Sequence, residues 1–192
     1  MVIFQCKENR MNKYDTIFLD RDGTLNPDPG YINSLDQFGF YDFTIPALKK
    51  MSEYCAGFCI ITNQSGLSRG LVKIDELSKI NNFILNEFYR NKLNLRGIYF
   101  CPDHPDNATI NRKPGIGMFK AAAKDHHIDL KNSIMIGDAL SDIKAGLNLN
   151  MDTMLVMTGR GEKSKDNLKG FNPKFIVKDI MDGAKTINRH FR

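Results

Sequence analysis

Six short runs of β-branched and aromatic residues recur along the chain, and helical patterns separate most of them. Continuous apolar runs of this kind are typical of strands that are buried on both faces, as in a parallel sheet. The runs predict strands over 16–19, 58–61, 97–100, 133–136, 153–156 and 174–177. Because polar residues directly follow several of these runs, the ends of the strands are candidates for a binding site.

Helical periodicity fills the intervals between the predicted strands. Leu77, Ile80, Ile84 and Phe88 within the segment 74–93 recur at the spacing of a helix with one apolar face. Other helices are predicted over 46–54, 118–126, 141–147 and 180–191. This alternation predicts an α/β fold, a Rossmann-like three-layer sandwich with a mainly parallel sheet. Such sheets bind ligands outside the carboxyl ends of their strands.

The length of the chain fits one domain over residues 1–192, with 42% hydrophobic and 26% charged residues, as in ordinary globular proteins. Residues 1–12 are expected to be an N-terminal extension. Residues 23–43 interrupt the alternation with prolines and glycines between aromatic residues. We expect this segment to be a short flap, either a mobile loop or a small hairpin, over the active site.

Composition also limits the expected location and partners. No apolar run approaches the roughly 18 residues that a membrane span needs, and the N-terminus lacks the pattern of a signal peptide, so a cytoplasmic location is expected. The net charge is +5, but the basic residues are dispersed rather than clustered as for nucleic acid. The four cysteines are scattered and predict no disulfide framework. We expect a monomer that binds neither nucleic acid nor membrane.

Asp20, Asp22 and Gly23 follow the first predicted strand and form the most informative pattern. Two carboxylates two positions apart at the end of a strand can face the same side, and Gly23 permits a sharp turn. One carboxylate can attack phosphorus while the other transfers a proton to the leaving oxygen. Mg²⁺, which binds carboxylates and phosphate oxygens, would offset their repulsion. The alternative is an Asp-Gly turn in which Asp22 is solvated.

The second strand ends in a run of hydroxyl and amide side chains. Thr62 and Asn63 begin this run, which continues through Gln64 and Ser65 to Gly66. Such groups can donate hydrogen bonds to the oxygens of a phosphate. An ordinary turn with helix-capping residues has the same composition and remains the alternative.

Two basic residues, Arg112 and Lys113, precede the helix predicted over 118–126. A lysine beside a phosphoryl group in transfer supplies fixed positive charge, and the start of a helix favours anions as well. An exposed basic pair before a proline is the alternative interpretation.

Asp138 ends the fourth predicted strand, and Asp142 follows four residues later. If a helix begins between them, the two side chains face the same way. Asp138 then suits a metal ion as ligand, and Asp142 suits the role of its support. Capping of the helix by Asp138 is the alternative, and capping does not exclude metal binding.

Together and in this order, the four patterns resemble the signature motifs of the haloacid dehalogenase superfamily of phosphohydrolases. The motifs are Asp20 with Asp22, then Thr62 with Asn63, then Lys113, and finally Asp138 with Asp142. The resemblance covers roughly residues 14–180. It implies a Mg²⁺-dependent phosphatase that works through an aspartyl-phosphate, on a fold without a large cap.

A closer resemblance is to the D-glycero-D-manno-heptose bisphosphate phosphatases, which form one cap-less group with the histidinol-phosphate phosphatases. It rests on segments 18–25, 28–31, 62–66, 99–105 and 112–114, with Arg69 and Gly70. It implies hydrolysis of a heptose 1,7-bisphosphate in carbohydrate metabolism, within nucleotide-heptose or lipopolysaccharide precursor synthesis. The alternatives are a histidinol-phosphate or other small-molecule phosphatase, a nucleic-acid 3′-phosphatase and a non-catalytic scaffold.

The resemblance also implies a role for each matching residue. Asp20 would be the nucleophile, and Asp22 the general acid and base. Mg²⁺ would be held by Asp20, the backbone carbonyl of Asp22, and Asp138, with Asp142 as support. The transferring phosphate would be held by Thr62, Asn63 and Lys113. The rest of the sugar would contact Asp28, Pro29, Gly30, Tyr31, Gln64, Ser65 and Arg112.

The chain departs from this resemblance in the segment 102–111. Family members often carry a structural zinc there, on the pattern C-x-H followed by C-x-C. Cys101 remains, but Asp103 stands at the position of the histidine, and the later cysteines are replaced by Thr109 and Asn111. Because a structural zinc needs four good ligands, we predict no zinc and expect packing and hydrogen bonds to hold the loop.

Overall fold

The computed structural model of the chain describes residues 13–192, so the extension predicted for residues 1–12 lies outside the described residues. The strands are β1 (Tyr14–Leu19), β2 (Cys55–Asn63), β3 (Leu95–Cys101), β4 (Ile134–Gly137), β5 (Asp152–Val156) and β6 (Phe175–Val177). They form one sheet in the order β3-β2-β1-β4-β5-β6, and all neighbours run parallel. The predicted α/β fold with a mainly parallel sheet is confirmed.

Helices connect the strands and close the chain. Those within residues 13–192 are α1 (Thr44–Met51), α2 (Ile74–Arg90), α3 (Gly117–His126), α4 (Leu140–Asn148), α5 (Gly161–Asp166) and α6 (Ile180–Phe191). All but α5 were predicted, although α1 and α2 end three residues earlier than their apolar patterns suggested. The short, charged sequence of α5 is too brief to show an apolar face.

Alternate residues of the strands point to opposite faces of the sheet, and each face packs against helices. On one face, Ile17 of β1 belongs to a core that contains Leu48 of α1 and Ile187 of α6. On the other face, Phe18 of β1 packs against Phe119 of α3, with ring centroids 5.2 Å apart. Burial of such a side chain contributes about 1.5–3 kcal/mol to folding. The sheet is therefore the middle of three layers, as predicted.

The order of the strands reverses between β1 and β4, which are neighbours in the sheet but not in the chain. In open α/β sheets, this switch point opens a crevice outside the carboxyl ends of the strands, where ligands bind. Asp20 directly follows β1, and Asp138 directly follows β4. The backbone N–H of Asp20 donates to the carbonyl of Ile136 at 2.9 Å, which joins the two strand ends. The topology thus places the two acidic residues together.

The flap at residues 23–43 contains no hairpin. Its one helical element is a 3₁₀ turn at Leu35–Gln37, and the rest consists of turns, one isolated bridge and irregular backbone. Ile32 and Phe38 of the flap are buried in the core that α1 and α6 cover. The Phe38 ring packs edge-on against Phe83 of α2 at a centroid distance of 5.8 Å. These contacts anchor the flap beside the crevice.

Two predictions concern the whole chain. Among the helices of the described residues, none is long and apolar enough to cross a membrane. The assignment of residues 1–192 to one domain stays a prediction, since the described part begins at residue 13.

Candidate active site

A cavity of about 430 Å³ opens where β1, β2 and β4 end. Every predicted site residue except Pro29 lines it. These residues are Asp20, Asp22, Asp28, Gly30, Tyr31, Thr62, Asn63, Gln64, Ser65, Arg112, Lys113, Asp138 and Asp142. Residues from all four motifs thus meet in one cavity, as the rule for the carboxyl ends of parallel strands predicts.

Lys113 lies at the floor of the cavity between two carboxylates. Its Nζ is 2.8 Å from Asp20 Oδ1 and 2.7 Å from Asp142 Oδ1, and it donates to the carbonyl of Ile61 at 2.7 Å. Lys113 is only 3% exposed, so it is not part of an exposed basic pair. Burial alone would lower the pKa of Lys113, but the attraction of Asp142 and Asp20 outweighs burial and raises it. The ammonium group is therefore a fixed positive charge beside Asp20.

The two acidic residues at the strand ends are harder to ionise than ordinary aspartates. Burial raises the pKa of Asp20 well above its usual value, although Lys113 opposes the shift. Burial and the nearby charge of Asp142 raise the pKa of Asp138 to about 6. Carboxylates that repel one another in a buried site are stabilised as anions when a cation binds between them.

Asp138 is enclosed by two backbone segments that approach it closely. Its Oδ2 accepts a hydrogen bond from the backbone N–H of Arg160 at 2.7 Å. Gly23 and Gly159 have φ angles of +85° and +56°, and a Cβ on either residue would overlap the Asp138 carboxylate. The Thr158 hydroxyl donates to the carbonyl of Gly23 at 2.6 Å, which joins the two segments. Glycine is required at both positions for this approach.

Asp142 lies in the first turn of α4 and is fully buried. Its Oδ2 accepts a hydrogen bond from the backbone N–H of Ala139 at 3.0 Å, and its other oxygen pairs with Lys113. Ala139, not Asp138, occupies the N-cap position of α4, so capping does not account for Asp138. Asp142 was expected to support Asp138, but its direct contact is with Lys113.

Asp22 is held by hydrogen bonds from three side chains. Arg21 donates from Nε and Nη2 at 3.0 and 2.8 Å, Asn26 donates from Nδ2 at 3.0 Å, and Gln64 donates from Nε2 at 2.8 Å. Burial raises the pKa of Asp22, but Arg21 and these hydrogen bonds outweigh burial and lower it. Asp22 is therefore an oriented, ionised carboxylate and not the solvated end of an Asp-Gly turn.

The amides at the end of β2 contact protein groups rather than pointing freely into the cavity. Asn63 donates from Nδ2 to the carbonyl of Lys113 at 3.1 Å and accepts from the backbone N–H of Lys113 at 3.0 Å. Gln64 Nε2, which contacts Asp22, also donates to the hydroxyl of Thr62 at 2.8 Å. Asn63 thus positions Lys113, and Gln64 positions Asp22. Direct contact of these amides with a substrate stays a prediction.

An ion pair joins the flap to the loop after β5 at the mouth of the cavity. Asp28 Oδ2 lies 3.1 Å from Arg160 Nη2, and Asp28 Oδ1 accepts from the backbone N–H of Gly30 at 3.0 Å. Tyr31 is 42% exposed at the rim. Pro29 is not among the residues that line the cavity, so nothing in the geometry favours its predicted contact with a sugar.

The sequence patterns did not predict three arginines that line the cavity, namely Arg21, Arg69 and Arg160. Arg21 lies between the two aspartates of the first motif, but the sequence alone does not show that its side chain is buried. Arg160 follows the predicted fifth strand closely, so the rule for strand ends would have found it. Arg69 reaches the cavity from a turn between β2 and α2, which no local pattern reveals.

Asp20, Asp138 and Asp142 form a group with ligand oxygens within 4.8 Å of one another. Within residues 13–192, no other group of three His, Cys, Asp or Glu side chains is close enough to share a metal ion. Both oxygens of Asp142 are engaged, Oδ1 by Lys113 and Oδ2 by the backbone N–H of Ala139. Lys113 contacts Oδ1 of Asp20 and Arg160 contacts Oδ2 of Asp138, so the second oxygen of each makes Asp20 and Asp138 the residues best suited to bind a cation. Hard carboxylate oxygens are the ligands that Mg²⁺ prefers.

The residues around the segment 102–111 do not fit zinc. Asp103 Oδ2 accepts a hydrogen bond from the backbone N–H of Thr109 at 2.8 Å, and Thr109 Oγ1 accepts from the backbone N–H of Asn111 at 3.2 Å. Threonine and asparagine are not ligands of structural zinc sites, and within residues 13–192 Cys101 is a free cysteine that belongs to no group of three potential metal ligands. The absence of zinc stays a prediction.

Comparison with known proteins identifies relatives along nearly the whole chain. A HAD-hydrolase-like family model matches residues 110–183. The chain is 33% identical to D-glycero-beta-D-manno-heptose-1,7-bisphosphate 7-phosphatase of Yersinia pestis, over 92% of this chain and 96% of the relative. It is 35% identical to the enzyme of the same name from Haemophilus influenzae, over 93% of this chain and 98% of the relative.

Solved structures show the same likeness. The D,D-heptose 1,7-bisphosphate phosphatase of B. bronchiseptica, complexed with magnesium and phosphate, matches with a TM-score of 0.82 and 28% identity. The match covers 92% of this chain and 99% of that one. The corresponding phosphatase from Burkholderia thailandensis matches with a TM-score of 0.67 at 23% identity, covering 91% of this chain and 98% of that one, and so supports the fold alone.

Proposed function

The chain belongs to the D-glycero-D-manno-heptose-1,7-bisphosphate 7-phosphatase family of HAD-like hydrolases, and we propose that it hydrolyses the 7-phosphate of this sugar with the help of Mg²⁺. The observation that carries the proposal is the meeting of Asp20, Lys113 and Asp138 in one cavity, where a buried carboxylate faces a buried ammonium group. The magnesium and phosphate in the B. bronchiseptica structure, at 28% identity, support the same assignment.

Asp20 is the proposed nucleophile. One of its carboxylate oxygens forms a bond to phosphorus while the bond between phosphorus and the sugar oxygen breaks, so the phosphoryl group moves to Asp20 as an aspartyl-phosphate. The adjacent Lys113 ammonium offsets the negative charge on the phosphoryl oxygens. Asp20, Asp138 and the backbone carbonyl of Asp22 would hold Mg²⁺, which would supply further positive charge to the phosphoryl group.

Asp22 is the proposed general acid and base. In the first step it must carry a proton while the substrate is bound, and it gives that proton to the departing sugar oxygen, which leaves Asp22 ionised. In the second step it takes a proton from a water molecule, whose oxygen attacks phosphorus and displaces Asp20, which yields inorganic phosphate. The hydrogen bonds from Arg21 and Gln64 favour the ionised form of Asp22, which is the form that the second step requires.

Basic side chains at the mouth of the cavity suit the rest of a doubly phosphorylated sugar. Arg112 is half-buried in the wall, and Arg69 and Arg160 line the same cavity. A second phosphate needs such cations, because guanidinium groups bind phosphate oxygens with two parallel hydrogen bonds. We extend the proposal to a cytoplasmic enzyme that supplies nucleotide-heptose or lipopolysaccharide precursors.

The decisive experiment measures phosphate release from D-glycero-β-D-manno-heptose 1,7-bisphosphate with Mg²⁺ and with EDTA, for the wild type, Asp20→Asn and Asp166→Asn. Asp166 is an exposed aspartate of α5 and is the matched control. We expect rapid release that requires both Mg²⁺ and Asp20 and survives in Asp166→Asn. Asp20-dependent release from histidinol phosphate, but none from the heptose, would keep the mechanism and reject the substrate. Inactivity on every phosphate ester would reject the proposed function.

A further inference from the structure

The loop between β3 and α3 reaches from Cys101 to Lys113 and carries Arg112 into the wall of the cavity. It has a single helical turn, at Pro105–Asn107, and most of its residues are exposed. Nothing in the apolar core therefore fixes its path beyond Cys101. Its shape must come from hydrogen bonds within the loop or from a bound group.

Asp103 is the centre of the hydrogen bonds within this loop. Its carboxylate oxygen Oδ2 accepts a hydrogen bond from the backbone N–H of Thr109 at 2.8 Å. Thr109 in turn accepts from the backbone N–H of Asn111. One carboxylate thus joins the end of β3 to the far side of the loop. Hydrogen bonds to an ionised acceptor are about twice as strong as neutral ones.

The same residue holds the arginine of the cavity wall. The backbone carbonyl of Asp103 accepts a hydrogen bond from Arg112 Nη1 at 3.0 Å, and the backbone N–H of Arg112 donates to the carbonyl of Thr109 at 3.2 Å. Lys113, by contrast, is fixed by Asn63, independently of Asp103. Loss of the Asp103 carboxylate would therefore loosen Arg112 and leave Lys113 in place.

We propose that Asp103 is a positioning residue that orders the loop and directs Arg112 toward the distal part of the substrate, without a structural metal ion. The inference rests on the proposed function for its substrate, but the order of the loop does not depend on it. Three of the four residues that would correspond to zinc ligands, Asp103, Thr109 and Asn111, are instead joined by hydrogen bonds.

Asp103→Ala tests the proposal in the full chain, with Asp106→Ala as its matched control. Asp106 belongs to the same loop, but its side chain is 85% exposed and lies 3.5 Å from His104 Nδ1. The first readout is amide hydrogen exchange of Thr109 and Asn111, which needs no substrate. We expect exchange to be at least about tenfold faster in Asp103→Ala and unchanged in Asp106→Ala. Equal exchange in the two variants would overturn the proposal.

The second readout separates positioning from general damage. For the heptose bisphosphate, we expect Asp103→Ala to raise KM about tenfold and to leave kcat within about twofold. For an aryl phosphate, which has no distal phosphate, both constants should stay near the wild-type values. Asp103→Asn should lie between, because its amide oxygen can still accept from Thr109. Equal losses on both substrates would show a structural defect and contradict the positioning role.

A third readout addresses the metal directly. The wild type, stripped by a chelator and restored with Mg²⁺ alone, should keep both the slow exchange of Thr109 and its KM for the bisphosphate. One tightly bound zinc per chain, with faster exchange after its removal, would overturn the inference. If the wild type fails to hydrolyse the heptose bisphosphate, the substrate proposal fails, and the exchange rates still decide the role of Asp103.

Discussion

Lys113 is the positive charge that balances two buried carboxylates of the site. It is buried between Asp20 and Asp142, and removal of the cation would leave two carboxylates that repel each other in a medium that solvates them poorly. A buried charge without its partner costs about 3–5 kcal/mol. Stability and catalysis should therefore both depend on this lysine, but for different reasons.

We predict that Lys113→Met lowers kcat about 10²–10³-fold, because the positive charge beside the phosphoryl group is lost. The same change should lower the free energy of unfolding by about 3–5 kcal/mol. Steady-state kinetics and urea denaturation measure the two effects. Lys120→Met is the control, since Lys120 lies on the exposed face of α3.

The double variant Lys113→Met with Asp142→Asn separates the two effects. Neutralising Asp142 removes one of the unpaired charges, so stability should recover in part while activity stays low. If activity returned together with stability, Lys113 would serve the fold alone, contrary to its proposed role.

Substitution of Asp20 and substitution of Asp22 should block the reaction at different steps. Asp22→Asn keeps the nucleophile but loses the group that activates water, so the phospho-enzyme should accumulate. With an aryl phosphate, whose leaving group needs little protonation, we predict a burst of about one equivalent followed by turnover slowed about 10²–10⁴-fold. Rapid-quench measurement of the burst tests this. Asp20→Asn should show no burst, and a burst from it would assign the nucleophile elsewhere.

At the scale of an element, the loop after β5 shapes the proposed metal site although it supplies no predicted ligand. Gly159 has a φ of +56°, and a side chain there would overlap the Asp138 carboxylate. The neighbouring Arg160 donates its backbone N–H to the same carboxylate. A small change in this loop should therefore alter the affinity for Mg²⁺ through Asp138.

We predict that Gly159→Ala weakens Mg²⁺ binding about tenfold or more, because Asp138 must move to admit the new Cβ. Calorimetric titration with Mg²⁺ measures the affinity. Gly170→Ala is a matched control, since Gly170 also has a positive φ, +92°, but no atom within 4 Å of the added Cβ. Both variants should lose about 1 kcal/mol of stability through backbone strain. Equal affinity for Mg²⁺ in the two would contradict the steric role of Gly159.

The sequence was informative wherever one local pattern determined the structure. The strand runs and the acidic residues at their ends follow from burial and topology, so Asp20 and Asp138 could be placed together without coordinates. The contacts of Asn63 and Gln64 could not, because their partners Lys113 and Asp22 lie 50 and 42 positions away. Side-chain packing across such separations has no local signal, and the same limit hid the burial of Arg21 and the position of Arg69 in the cavity lining.

At the scale of the whole molecule, we expect the buried carboxylates to make stability depend on pH and on Mg²⁺. The pKa of Asp138 is about 6 in the folded protein, above its model-compound value of 3.8, because burial and Asp142 disfavour the anion. Such a group stabilises the fold fully below pH 3.8, and its contribution is lost as the pH rises through 6. Asp20 is shifted in the same direction. The lowered pKa of Asp22 changes the stability only as the pH falls below 3.8, where its contribution is lost. It therefore does not oppose the loss of stability that Asp138 and Asp20 cause at higher pH.

We therefore predict that Mg²⁺ stabilises the protein more at pH 7.5 than at pH 5, since protons compete with the ion for Asp138 and Asp20. At 100 times the dissociation constant, a ligand adds about 2.7 kcal/mol, which raises the Tm by about 5–10 °C for a chain of this size. Thermal denaturation with Mg²⁺ or EDTA, at one fixed Mg²⁺ concentration and both pH values, measures the difference. Asp138→Asn should abolish the Mg²⁺ shift and flatten the loss of metal-free stability between pH 4 and 7. An equal Mg²⁺ shift at both pH values would mean that the ion binds elsewhere than at these carboxylates.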